Sequence, residues 1–387
     1  MGTIREHRMI PSVIDAIQPS AIRVKEPAID AGLAAWLDDH ALYLDSDAGS
    51  ASEIVPRLGH AGLFRIGVDV ALGGVGGTTC DAIKAIASVA RHSLSAAFVF
   101  WGQRTFIEYL LQSDNATLRD KWLPSLLHGE HAGATGLSNA MKYLSAIEPL
   151  KARAHALDAG ASRFSLNGAL PWITNLRQEG FLAAVAFDRD AGAPPAIFAV
   201  PHDIAGVCRS DDLDLIALRA SNTAALTFKN VELDARWIIA SDARAFLMHA
   251  RPAFLGLQCG MSIGLARRSL DAVDACGDAA QAALADELAE LRSRLDALCE
   301  PLYHGVDSGV FVAAPARQFE IRIALAQIAV AASQLELQAA GGRGYLRNAS
   351  DTGPARRARE AAFVPIITPS VVQLKNQLAH HRQQGAA

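Results

Sequence analysis

The chain reads as a mainly α protein with a central β domain, and three observations lead there. Half of its 387 residues are apolar (51%), dominated by Ala, Leu and Val, while aromatics make up only 6%, a balance that suits close-packed helices. Apolar residues recur at three- and four-residue intervals through the first and last thirds and alternate in the middle third. The length exceeds what one core usually organises, so two or three domains are expected. The boundaries fall at 1–132, an N-terminal helical domain; 133–241, a middle β domain; and 242–387, a C-terminal helical bundle.

In the first third, "AIDAGLAAWLDDHALYL" and "CDAIKAIASVARHSLSAAFVFW" carry the helical period, with "ALGGVGGTT" as the break between them. After "WLPSLLHGEHAG" the pattern changes. "RFSLNGALPWITN" alternates around Asn167-Gly168, a dipeptide suited to a tight hairpin turn, and "FLAAVAF", "PAIFAVP" and "AALTFKNVEL" follow as short strands. The helical period returns in "FLGLQCGMSIGLARRSLDAVDA", "AALADELAELRSRLDALCEPLY" and "QFEIRIALAQIAVAASQLELQAA", long enough to pack as a bundle. The polar tail "HHRQQGAA" is expected to fray.

Charge and cysteine usage narrow the partners. Thirty-six basic and 40 acidic residues, spread along the chain, give a net charge of −4, which offers no footprint for nucleic acid or an anionic membrane. Five dispersed cysteines without a CxxC pair argue against a zinc site or disulfide framework and suit a reducing cytoplasm. The start "MGTIREHRMIPSVIDAIQ" lacks a long apolar run, and no later segment offers about 20 uninterrupted apolar residues. The expectation is a soluble, cytoplasmic protein.

Five anchors in order, "AGLFRIGVDVALGGVGG", "KWLPSLLHGE", "NGALPWITN", "LRASNTAALTFKNVEL" and "LQAAGGRGYL", make the chain resemble the acyl-CoA dehydrogenase superfamily over nearly its whole length. The resemblance implies that family's fold: an N-terminal helical domain, a β-barrel-like middle domain and a C-terminal four-helix bundle. It also implies FAD, with the isoalloxazine between the β domain and the bundle. Trp172 and Thr174 match positions beside the flavin and near its N5 edge. Ser138 matches a hydroxyl at the pyrimidine side, and Ser370 one that touches the flavin. Gln338, Gly341 and Gly342 match the "QxxGGxG" near the adenosine diphosphate of a FAD held mainly by a neighbouring subunit, so a homodimer or homotetramer is implied. Local alternatives exist for each: a strand end for "WITN", and a helix C-cap for the glycines.

Three departures complicate the chemistry. The family's "RxxFG", whose Arg meets the FAD pyrophosphate, is missing where "LDAVDACGDAAQAALADELAELR" runs straight on. The Arg-rich "GPARRARE", with Arg356, Arg357 and Arg359, is either a substitute phosphate site or a solvated turn, and the turn is the favoured reading. The family loop "TEPxxGSD" is replaced by "SNAMKYLS", which makes a carrier-bound thioester, or no thioester, compatible.

The third departure is at the catalytic position. Family members carry a Glu nine residues after an Arg, in a segment resembling "REAAFVPIITPSVVQL"; that Glu removes the pro-R proton from Cα while hydride leaves Cβ. Counting from Arg359 gives Thr368, whose hydroxyl has no comparable ionisation. The alternative family position, on the first long bundle helix, corresponds to the acid-free "HARPAFLGLQCGMSIG", where His249 and Arg251 lie nearby. The resemblance therefore leaves three readings. The first is an FAD-dependent oxidoreductase acting on an acyl-CoA or acyl carrier protein thioester, passing electrons to an electron-transfer flavoprotein. The second is a flavin-dependent monooxygenase supplied by a flavin reductase. The third is a non-redox homologue that binds or eliminates acyl groups.

Overall fold

A computed structural model describes residues 27–144, 148–346 and 353–385; the stretch from Met1 to Gln18 read above lies outside them. Five helices come first: α1 (Ala31–Ser46), α2 (Ala51–His60), α3 (Thr79–Ala90), α4 (Leu94–Leu111) and α5 (Ala116–Leu127). Each start has a local cause. Asp30 caps α1 by accepting from the Leu33 N–H at 3.0 Å, and Thr78 with Asp81 forms a capping box on α3. In the "ALGGVGGTT" break, Gly73, Gly76 and Gly77 all take positive φ. A Cβ on Gly74 would lie 1.9 Å from the Val68 carbonyl oxygen, so this turn is built around glycine.

The middle third is a mixed sheet of β1 (Ala132–Thr135), β2 (Arg153–Ala156), β3 (Arg163–Ile173), β4 (Phe181–Arg189), β5 (Ala196–Pro201), β6 (Val207–Asp212), β7 (Ala224–Asp234) and β8 (Ile238–Ala240), with the short helix α6 (Ser138–Leu144) after β1. The order is β6-β7-β3-β2-β4-β5-β8, with β1 parallel on β4. The sheet curls so that Phe164, Phe187, Phe198 and Phe228, from four different strands, meet with ring centroids 5.3–5.6 Å apart.

Asn167-Gly168 is not the hairpin its sequence predicts. It lies inside β3 as a register shift against β7, and Asn167 Oδ1 accepts from the Asn230 N–H at 2.9 Å. The Gly168 φ of 140° and the closeness of Ala152 require glycine there. The chain turns instead between β2 and β3, where Asp158 accepts from the N–H groups of Ser162 and Arg163. Cross-strand pairing along all of β3 outweighs the local turn preference.

The last third holds α7 (Ala243–Asp274), α8 (Asp278–Ala283), α9 (Ala285–Asp307), α10 (Val310–Ala313), α11 (Pro315–Ala340), α12 (Gly353–Phe363) and α13 (Val371–Gly385). Between the two stretches read as helical, "FLGLQCGMSIGLARRSLDAVDA" and "AALADELAELRSRLDALCEPLY", the chain breaks at Ala275–Gly277 and again before Ala285. The tail expected to fray is helical as far as Gly385. One described helical stretch, Pro315–Tyr345, has the length and composition of a membrane span, although its apolar run is interrupted and 56% of its apolar window is buried. The buried Arg322 and Glu336 have hydrogen-bond partners on α7 and α12, so α11 is the core helix of the bundle.

The bundle meets the N-terminal helices through glycine. Gly256, Gly260 and Gly264, spaced by four on α7, face α3, and a Cβ on Gly264 would stand 2.0 Å from the Ala87 carbonyl oxygen. Gly264→Ala is therefore expected to destabilise the fold by about 1–3 kcal/mol through forced separation of the helices, despite roughly 1 kcal/mol gained in helix propensity. Gly277→Ala, with nothing within 4 Å and φ at −64°, should change stability by at most about 0.5 kcal/mol. Thermal melting distinguishes the two; a Gly264→Ala chain that melts at or above the parent contradicts the close packing.

Candidate functional site

The end of β3 is anchored from several sides. Asn175, at φ 66°, donates through Nδ2 to Gln103 Oε1 at 3.0 Å and to the Gly133 carbonyl at 2.9 Å. Gln103, fully buried on α4, also accepts from the Gly133 N–H at 2.6 Å. The Asn of "WITN" is thus the clamp that joins α4, β1 and β3, a role not read from the sequence. With the strand end fixed, Thr174 is 7% exposed, its Oγ1 3.2 Å from Thr223 Oγ1. Trp172, two residues earlier on the same strand, is 54% exposed. A Cβ on Gly136 would lie 3.1 Å from Ile173 Cδ1, so the segment leading to Ser138 runs beside Trp172 and Thr174. Ser138 itself is half-buried at the start of α6, where the expected loop has become helix.

On the bundle side, the Thr368 segment is fastened by a buried relay. Gln258 Nε2 on α7 donates to the Thr368 carbonyl at 3.2 Å, and Gln258 Oε1 accepts from Arg322 Nε at 2.6 Å. Arg322 Nη2 donates to the Val364 carbonyl at 2.9 Å. Thr368 is half-buried. Ser370 forms a capping box on α13: its N–H donates to Gln373 Oε1 at 2.6 Å and its Oγ accepts from the Gln373 N–H at 3.3 Å. An accepting hydroxyl keeps its own proton for a further donor role.

The arginines of "GPARRARE" are not in a solvated turn, and they are not left over for a phosphate. They lie on α12, and each holds a carboxylate. Arg356 binds Glu360 at 2.7 and 2.8 Å, Arg357 Nε meets Glu336 Oε2 at 2.8 Å, and Arg359 Nε meets Asp45 Oδ2 at 2.9 Å. All three carboxylates are at most 1% exposed. Burial pushes the Glu360 carboxyl up to about 7, against the opposing pull of Arg356. Glu360 is thereby committed to structure and does not stand in for the missing base.

Between α6, α7, α11 and α13 lies a cavity of about 430 Å³. Met141 and Leu144 line it beside the Ser138 segment and Pro369 beside Thr368, so the two predicted halves of the site meet across it. Its charged and titratable lining is Arg244, Arg251, His380 and His381, with no Asp or Glu among the lining residues. His249, which lies near the alternative base position, is exposed and outside this lining, whereas Arg251 is within it. His380 and His381 were missed because they fall in the polar tail. A larger depression of about 1270 Å³, lined by residues such as Arg57, His60, His128 and Arg177, shares no residue with either half of the site.

Gln338, Gly341 and Gly342 stand elsewhere. They are exposed at the far end of α11, about 24 Å along the helix from Arg322 at 1.5 Å per residue. Gly341, at φ 60° and ψ −156°, is in a region only glycine adopts readily. No atom lies within 4 Å of a Cβ built on Gly341 or Gly342.

This architecture is shared with known proteins. Residues 30–130 match the family model for the acyl-CoA dehydrogenase N-terminal domain. The mitochondrial isovaleryl-CoA dehydrogenase of Pongo abelii is 26% identical over 247 residues, which is 61% of this chain and 56%, about half, of that relative. Among solved structures, butyryl-CoA dehydrogenase from Megasphaera elsdenii superimposes with a TM-score of 0.77 at 18% identity, over 91% of this chain and 94% of the other. Nitrososynthase from Micromonospora carbonacea does so with a TM-score of 0.74 at 20% identity, over the same shares. With helices, mixed sheet and helical bundle following in this order, the chain has the fold of the acyl-CoA dehydrogenases, and its residues 30–130 match their N-terminal domain.

Proposed function

We propose that this chain is an FAD-dependent oxidoreductase acting on an acyl thioester carried by coenzyme A or by a carrier protein. The observation that supports it most is Trp172, a large indole 54% exposed on the anchored end of β3, two residues before Thr174. Nothing in the packing of the chain calls for an exposed indole there, and a flat aromatic ligand would cover it. The residues present fit a flavin. When bound, FAD supplies the acceptor for a hydride from the substrate carbon. Trp172 would exclude water on one side, Thr174, Ser138 and Ser370 would present hydroxyls to the ring edge, and the bare backbone at Gly341 and Gly342 would receive the adenosine end.

The distance between that glycine pair and the cavity supports a FAD shared between two copies. Tyr345 and Leu346, 76% and 59% exposed beside the glycines, form an apolar surface that a second copy would bury. Arg356, Arg357 and Arg359 are held by carboxylates, so the pyrophosphate contact has to come from other groups.

Thr368 does not take up the substrate proton. Among the cavity-lining side chains, the imidazoles of His380 and His381 are the available proton acceptors for Cα, since a guanidinium does not deprotonate. We place the activity in the cytoplasm, with an electron-transfer flavoprotein as electron acceptor, on the strength of cysteine usage and the family resemblance. A second reading, a flavin-dependent monooxygenase supplied by a flavin reductase, is favoured by one observation: a cavity with no lining carboxylate suits a reaction without α-proton abstraction.

The purified chain is expected to take up FAD and to lose its flavin absorbance on anaerobic addition of acyl-CoA thioesters. Oxygen uptake with NADH and a reductase, without that bleaching, transfers the assignment to the second reading; failure to bind FAD contradicts both. Leu346→Asp is expected to lower the mass seen by light scattering from at least two chains to one of 41.0 kDa and to weaken FAD binding with it. An unchanged mass removes this surface from the interface.

A further inference from the structure

The cavity between α6, α7, α11 and α13 carries a charge that hydride transfer does not call for. Arg244, Met248 and Arg251 line it from one face of α7, at helical spacings of four and three. Phe319, Met141, Pro369 and Leu374 give it an apolar floor. The Arg251 guanidinium stands over the Phe319 ring, 5.5 Å from its centroid. Arg251 Nε is buried without a hydrogen-bond partner among the described residues, and no described carboxylate pairs with this side chain. Burial alone lowers its pKa, with no opposing acid. The neighbouring Glu320 faces Arg382 at 3.5 Å and is not part of the lining. The α12 arginines are each met by a carboxylate, which the Arg251 guanidinium is not. A cation withdrawn from water without a counter-charge is costly unless an anion meets it.

We propose that this cavity binds the anionic group of an amphipathic ligand, a carboxylate or phosphate monoester on a short apolar chain. Arg251, half-buried with its Nε inaccessible, is the donor, Arg244 stands at the rim, and the alkyl part lies over Phe319. The proposal deepens the functional reading above by naming an anionic substituent on the substrate, and it rests on that reading only for the ligand being the substrate. A planar guanidinium suits both oxyanions, because its fork presents two parallel N–H groups.

The test is calorimetric titration of the full chain, without flavin or thioester, using hexanoate, hexyl phosphate and 1-hexanol. At least one of the two anions is expected to bind about tenfold or more tightly than the alcohol, and the tighter one identifies the source of the charge. Arg251→Gln should remove that preference, a loss of about 10- to 100-fold, while Arg251→Lys keeps part of it and Arg382→Gln keeps it all. Equal binding of anions and alcohol by the parent overturns the proposal, as does an undiminished preference in a folded Arg251→Gln chain. If Arg251→Gln does not fold, salt decides: raising chloride from about 0.05 to 0.5 M should weaken the anions and leave the alcohol unchanged, and no difference between them overturns the site. A colourless chain that prefers hexanoate keeps this site and loses the redox reading. A chain that reduces its flavin but shows no anion preference does the reverse.

Discussion

A charge taken out of water must be compensated, and this chain meets that constraint at the seam where α1, α11 and α12 touch. Asp45, Glu336 and Glu360 are all but inaccessible, and each is held by one of three arginines from a single helix. Removing one partner of such a pair leaves an uncompensated buried ion, at a cost of about 3–5 kcal/mol. Asp45 also accepts from the Leu218 N–H at 2.9 Å, so one carboxylate fastens the N-terminal helices, the end of the β domain and the bundle together. The relative placement of the three parts depends on it.

The same pairing shapes the chemistry. Glu360, the last acid before the cavity, is bound to Arg356 on the next turn of α12 and has no freedom to act on a substrate. The segment that follows is tied down by Gln258 and the Arg322 guanidinium, which hold the backbone carbonyls of Thr368 and Val364. The cavity is left with arginine and histidine and no lining acid. A site of that polarity stabilises negative charge, which differs from the carboxylate-based site that the family resemblance implies.

Much of the architecture was legible in the sequence, because helical and strand periods report which face is buried, and they did so in each third of the chain. The empty position at Thr368 was legible too, since it follows from a short count after Arg359. What could not be read were partnerships across long separations: Asp45 and Arg359 are 314 positions apart, and no local pattern marks them. Asn167-Gly168 misled because the dipeptide states a turn preference while the pairing of β3 with β7 decides the conformation. His380 and His381 were overlooked in a polar tail, although "SVVQ" just upstream has the Ser and Gln spacing of a capping box and signals a helix long enough to carry them to the exposed edge of the cavity.

The central claim is that proton transfer at this site runs through imidazole and not through a carboxylate. It is tested most directly by proton NMR of an acyl-CoA thioester in deuterated buffer, following loss of the α-proton signal with the parent chain and with a His380→Asn, His381→Asn double variant. The account predicts exchange above the buffer rate with the parent and a fall of about 100-fold or more in the variant, the scale of lost general-base catalysis. Exchange that persists unchanged in a folded double variant, or is absent in the parent, contradicts it.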